Sequence, residues 1–148
     1  MALEADAVCY VDTSALIKRY VREAGSDEFD EFSREPSYDR ILCPLQMVEF
    51  TSTLQRRIRM GAMDRHQVAG ARHRLLADLA AGGWRLVGFE TDVFSKATAL
   101  LTELGVAVAT LDVLHLACAL QSNARHFATA DRQLATAAHK AGLAVRIF

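Results

Sequence analysis

Four acidic residues stand where a carboxylate could do chemistry: Asp12 opens the segment DTSAL, Glu49 sits in QMVEF, Asp112 lies near the start of LDVLHLACAL, and Asp131 begins DRQL. Each alone has an ordinary explanation. Asp12 and Asp131 are placed to cap helices, and Asp112 and Glu49 fall in first helical turns, where negative charge complements the helix dipole. As a set they imply more. Four carboxylates meeting in one pocket would repel one another and raise their own pKa values unless a divalent cation lay between them. Mg²⁺ and Mn²⁺ take oxygen ligands and leave positions open for phosphate oxygens and water, which is the chemistry of phosphodiester hydrolysis. Glu49 is the sharpest single position, because Met47, Val48 and Phe50 surround it. Either it lies on a polar helix stripe or a cation compensates it.

The elements that would bring these residues together read from hydropathy. AVCYV at 7 to 11, ILC at 41 to 43, WRLVGF at 84 to 89, HFATA at 126 to 130 and LAVRIF at 143 to 148 are predicted strands. Helical patterns fill 14 to 22, 26 to 34, 46 to 60, 64 to 81, 90 to 104, 111 to 123 and 131 to 141, with glycines near the breaks. Strands apolar on both faces alternating with amphipathic helices imply a parallel sheet covered by helices. Ligands of such sheets bind beyond the carboxyl ends of the strands, where Asp12 and Asp131 fall. If their two strands are neighbours, the carboxylates meet at one sheet edge.

Composition sets the bounds. The chain has 148 residues, 51% of them hydrophobic and 24% charged, with a formal net charge of -1, which fits a single domain over residues 1–148 and excludes a disordered or fibrous class. Total charge carries no nucleic-acid signal. Local charge does: acids crowd residues 23 to 39, while Arg56, Arg57, Arg59, Arg65, Arg72 and Arg74 crowd 55 to 74. Such a basic helical hairpin suits a phosphate backbone or a docking partner, and equally a solvated face. The opening MALEADA has Glu4 and Asp6 in place of a signal peptide's basic residues, and no apolar run is long enough for a membrane span, so the expected location is cytoplasmic. Cys9, Cys43 and Cys118 are odd in number and set among apolar residues, and read as core fillers.

With these blocks in view, the sequence resembles PIN-domain nucleases, and among them the VapC-type toxins of type II toxin–antitoxin systems. YVDTSALIKRYVREAGSDEF at 10 to 29, PLQMVEFTSTLQRR at 44 to 57, LDVLHLACAL at 111 to 120 and TADRQLATAAHKAGL at 129 to 143 occur in that family's order and spacing. The resemblance implies an α/β/α sandwich with a parallel sheet of four to five strands, Mg²⁺- or Mn²⁺-dependent endoribonuclease activity, and a cognate antitoxin as partner. By position, Asp12, Glu49, Asp112 and Asp131 match the family's catalytic and metal-binding quartet, with Thr13 and Thr129 as supporting hydroxyls. Val113 departs from the family's commoner alanine, which puts no ligand in doubt. His115, three residues after Asp112, is read as a hydrogen-bonded core histidine rather than a ligand. Lys18, Arg19 and Arg22 are candidates for contact with substrate phosphates. A homodimer is also expected, with Phe29 and Phe32 in a groove for an antitoxin segment.

Other classes fit less well. A phosphoacceptor receiver needs an acid pair after the first strand and a late lysine, and the chain offers one acid in DTS and Asp131 at the late position. A haloacid-dehalogenase-type phosphatase needs an Asp at 14, where Ser14 stands, and no GxGxxG or P-loop follows a predicted strand. The remaining alternatives are a PIN-fold protein that acts mainly through antitoxin binding and operator control, or a PIN nuclease outside any toxin–antitoxin system.

Overall fold

The computed structural model describes residues 7–148; Glu4 and Asp6, used above to argue against a leader, lie outside the described residues. Five strands form one parallel sheet: β1 (Ala7–Val11), β2 (Tyr38–Leu42), β3 (Arg85–Leu86), β4 (His126–Thr129) and β5 (Ala144–Ile147). Their order across the sheet is β3-β2-β1-β4-β5. Winding runs outward in both directions from the central pair, so the crevice between β1 and β4 is the switch point at which such sheets bind ligands.

Alternation along the strands makes three layers. In β1, Cys9 and Val11 pack into one apolar cluster, while Val8 and Tyr10 pack into the other. Ile41 and Leu42 of β2, and Phe127 and Ala128 of β4, divide the same way. One face is covered by α1 (Thr13–Leu16), α2 (Ser26–Arg34), α3 (Pro44–Arg59) and α4 (Arg65–Ala80). The other is covered by α5 (Val93–Glu103), α6 (Thr110–Gln121) and α7 (Arg132–Lys140). The result is the expected α/β/α sandwich, with five strands.

Three elements depart from the sequence reading. The first helix stops after four residues and tightens into a 3-10 turn at Ile17–Arg19, so it does not run to residue 22. β2 begins at Tyr38, three residues earlier than expected, because the backbone of Tyr38, Asp39 and Arg40 pairs with β1 although their side chains are only half-buried. β3 shrinks to two residues at the sheet edge.

Phe29 and Phe32 correct a further expectation. Both are fully buried, and they stack against Trp84, Tyr38 and the C-terminal Phe148. Their amphipathic helix turns its aromatic face inward, so these rings cannot line a groove for a partner. The cysteines are free and buried. Cys43 is the N-cap of α3 rather than a strand residue, and burial pushes the Cys9 thiol up to about 12.

Candidate active site

Asp12 follows β1 directly and caps α1. Ser14 and Thr129 hydroxyls donate to its Oδ2 at 2.5 and 3.0 Å, while Oδ1 takes no hydrogen bond among the described residues and stands 3.7 Å from His115 Nε2. Asp131 follows β4 and caps α7, its Oδ1 accepting the backbone N–H of Gln133 and Leu134 at 2.8 and 3.1 Å. Cap and cleft-lining roles coincide at both residues, since each cap spends one oxygen. The strands are hydrogen-bonded neighbours, with Val11 opposite Ala128, and Thr129 ties their ends together by donating to Asp12 and accepting from the Asp131 N–H at 3.0 Å.

Glu49 arrives on α3. Pro44 occupies the first turn, where its missing N–H costs nothing, and the Gln46 side chain closes a capping box with Cys43. Gln46 Nε2 also donates to the Val11 carbonyl at 2.8 Å, which pins the helix start to the end of β1 beside Asp12. Phe50 and Leu54 turn into the core, leaving Glu49, Thr53 and Arg56 on one adjoining face that lines the cleft. Asp112 comes from the first turn of α6.

Asp12, Glu49, Asp112 and Asp131 therefore line one cleft of about 290 Å³ together with Thr13, Ser14, Arg56 and Arg57. The Asp112 carboxyl registers the crowding: partial burial, then the fields of Asp12 and Asp131, push it up to about 6. Thr13 Oγ1 donates to Glu49 Oε1 at 3.3 Å.

His115 is buried completely and bridges the cleft to the core. Nε2 bonds Glu49 Oε1, and Nδ1 bonds the Tyr10 hydroxyl at 2.7 Å, which in turn touches Cys43 Sγ at 3.1 Å. Burial alone would depress the imidazolium, but the hydrogen bond to Glu49 and the fields of Asp12 and Glu49 outweigh it, raising the histidine to about 10. The ring is thus a core group that holds Glu49.

Lys18, Arg19 and Arg22 do not line the cleft. Lys18 is buried and bonded to Glu23 and the Ala24 carbonyl, Arg19 pairs with Asp30, and Arg22 pairs with Asp27 and Asp30. The short first helix and the acid-rich α2 account for this. The cationic groups at the cleft are instead Arg56 and Arg57. Ser14 was missed in the sequence: it supports Asp12 and accepts the Ala130 N–H at 2.9 Å, but a serine in a first helical turn gives no distinguishing signal.

Over residues 9–140 the sequence matches the PIN domain family. The chain belongs to that family. No curated protein matches the sequence. Among solved structures, this PIN domain is similar to VapBC2 from Rickettsia felis, bound to a DNA fragment from its promoter, with TM-score 0.66 and 12% identity over 94% of this chain and 97% of that one. It is similar to FitAcB from Neisseria gonorrhoeae with TM-score 0.68 and 17% identity, covering 93% and 95%. A third is VapC20 from Mycobacterium tuberculosis, a sarcin-ricin loop cleaving toxin, with TM-score 0.65 and 18% identity over 87% and 94%. At these identities the likeness is one of fold.

Proposed function

We propose that this PIN domain is a divalent-metal-dependent endoribonuclease, active with Mg²⁺ or Mn²⁺, that serves as the toxin of a toxin–antitoxin pair. The observation that carries the reading is the cleft itself. Four carboxylates from separate segments line it, and among the described residues each keeps at least one oxygen out of hydrogen bonding: Asp12 Oδ1, Glu49 Oε2, Asp131 Oδ2 and both oxygens of Asp112. An all-oxygen donor set of this charge suits a hard dication. Among the described residues, no three His, Cys, Asp or Glu side chains stand close enough as placed to hold an ion. Holding one therefore calls for side-chain rotation, chiefly of Glu49 away from His115.

Asp12, Glu49, Asp112 and Asp131 would hold the ion, which supplies the positive charge that polarises a phosphodiester and eases ionisation of a water. The chain does the positioning. Ser14 and Thr129 fix the rotamer of Asp12, the backbone N–H groups of α7 hold Asp131, and His115 holds Glu49 in the metal-free arrangement, a contact that Glu49 would give up to reach the ion. Arg56 and Arg57, at the rim, offset the negative charge of an approaching strand.

The toxin role draws on the similar structures: a sarcin-ricin loop cleaving toxin, and a toxin–antitoxin complex from Klebsiella pneumoniae with TM-score 0.57 and 16% identity. A cognate antitoxin, a homodimer, one domain over residues 1–148 and a cytoplasmic location complete the reading. Among the described residues no helix is long and apolar enough to cross a membrane. The promoter fragment bound to VapBC2 favours a second role, operator control by the toxin–antitoxin complex.

RNA incubated with the native protein and with Asp12→Asn, each with and without Mg²⁺ or Mn²⁺, tests the reading. Cleavage only by the native protein and only with metal is expected. Equal cleavage by both proteins, or cleavage in chelator, would contradict it.

A further inference from the structure

The α3 and α4 hairpin carries positive charge that extends beyond Arg56 and Arg57 at the rim of the acidic cleft. Arg56, Arg59, Arg65 and Arg72 are exposed and form no ion pair among the described residues, whereas Arg57 is tied to Glu23 and Arg74 to the Tyr20 carbonyl. Arg59, Arg65 and Arg72 border a groove of about 510 Å³ between the two helices, and Ile58 and Val68 contribute to its walls. No acidic residue lines it.

Groove and cleft adjoin on one helix. Arg56 lines the cleft and Arg59 the groove, three residues or about 4.5 Å of helical rise apart. From Glu49 to Arg59 the rise is about 15 Å. Acids and bases are nearly equal in number, at 18 and 17, so unpaired guanidinium groups around a groove with no acid in its lining are a segregation of charge and not an excess; the nearby Asp64 is engaged as the cap of α4. Such groups repel one another in the free protein and gain from a polyanion laid across them. Their spread along the hairpin suits a polymer of regularly repeated charge, and the apolar walls can meet ribose or base faces.

We propose that the α3–α4 groove is a phosphate-backbone track for single-stranded RNA leaving the acidic cleft. Arg56 receives the strand at the junction, and Arg59, Arg65 and Arg72 bind phosphates beyond the bond that is cut. These contacts fix register without reading bases. The proposal rests on the ribonuclease reading for its choice of polymer.

The test is fluorescence anisotropy in EDTA, with a labelled trinucleotide and a longer unstructured oligoribonucleotide, at several salt concentrations. The triple variant Arg59→Gln, Arg65→Gln, Arg72→Gln is compared with the native chain and with the triple lysine variant. All three positions are exposed, and circular dichroism melting checks that folding is unchanged. At about 0.7 per phosphate contact on single strands, loss of three contacts lowers the slope of log K against log salt by about 2. The expected result is that lower slope with at least tenfold weaker binding of the long RNA, unchanged trinucleotide binding, and recovery of the slope by the lysine variant. Absence of long-RNA binding by the native chain, or equal affinity and slope in all variants, overturns the track. So does arginine-dependent binding of a polyglutamate peptide with RNA binding unaffected, which would assign the groove to an acidic protein. Arginine-dependent RNA binding by a protein that cuts nothing with Mg²⁺ or Mn²⁺ upholds the track while the ribonuclease reading fails. Cleavage with an unchanged KM for long RNA in the glutamine variant does the reverse.

Discussion

Replacing Asp112 by asparagine should stabilise the metal-free protein at alkaline pH while abolishing catalysis. Asp112 is pushed from 3.8 to about 6 by partial burial and by Asp12 and Asp131. A carboxyl raised on folding is ionised more readily in the unfolded chain, so the folded state loses stability as pH rises from about 4 to about 6 and recovers none above that. Roughly two pH units correspond to about 3 kcal/mol. The side chain is only half-buried, and solvent screening reduces this to about 1 kcal/mol. Asparagine keeps the shape and removes the charge. In EDTA at pH 8, Asp112→Asn should therefore melt about 2–4 °C above the native protein, and at pH 4 the two should melt together. Groups that titrate alike in both proteins cancel in the comparison. Added Mg²⁺ should raise the native melting temperature and leave the variant nearly unmoved. Equal or lower stability of Asp112→Asn at pH 8 without metal would refute the claim that these carboxylates repel one another.

Other perturbations follow from the same geometry. Tyr10→Phe removes the hydroxyl bonded to His115 Nδ1 and should cost about 1–3 kcal/mol in urea denaturation, because the ring nitrogen is left buried and unpaired. His115 is raised to about 10, so its contribution is full below about 6.5 and fades as pH climbs towards 10; His115→Gln should flatten that alkaline limb in a pH series of melting curves. Gly25 has φ +85°, and a Cβ there would lie 2.9 Å from the Phe148 backbone carbon. Gly25→Ala should accordingly lower stability by at least about 1 kcal/mol, read by thermal melting. Phe127→Ala, in β4 beside the central strand, should cost about 3–5 kcal/mol by the same assay.

The sequence was most legible where a short apolar run ends in an acid. AVCYV followed by Asp12 and HFATA followed by Asp131 define β1 and β4, and the pairing of Val11 with Ala128 brings the two acids together as the switch-point argument requires. Less was legible where partners lie far apart in the chain. The 26 to 34 pattern shows which helix face carries Phe29 and Phe32, but nothing local says that Trp84 and Phe148 cover it. His115 reads as a core residue, yet its partners, Tyr10 and Glu49, come from a strand and a helix far earlier in the chain. The basic residues after Asp12 were misleading because a four-residue helix and a 3-10 turn carry them to α2 instead of the cleft. The arginines of α3 reach it because Glu49 and Arg56, seven residues apart, share a helical face.

Calorimetric titration of Mn²⁺ into the native protein, Asp12→Asn and Asp112→Asn tests the cleft most directly. Saturable binding by the native chain, weakened at least tenfold by either substitution in proteins that remain folded, is the predicted result. Identical binding by all three, or none by the native chain, would contradict the account.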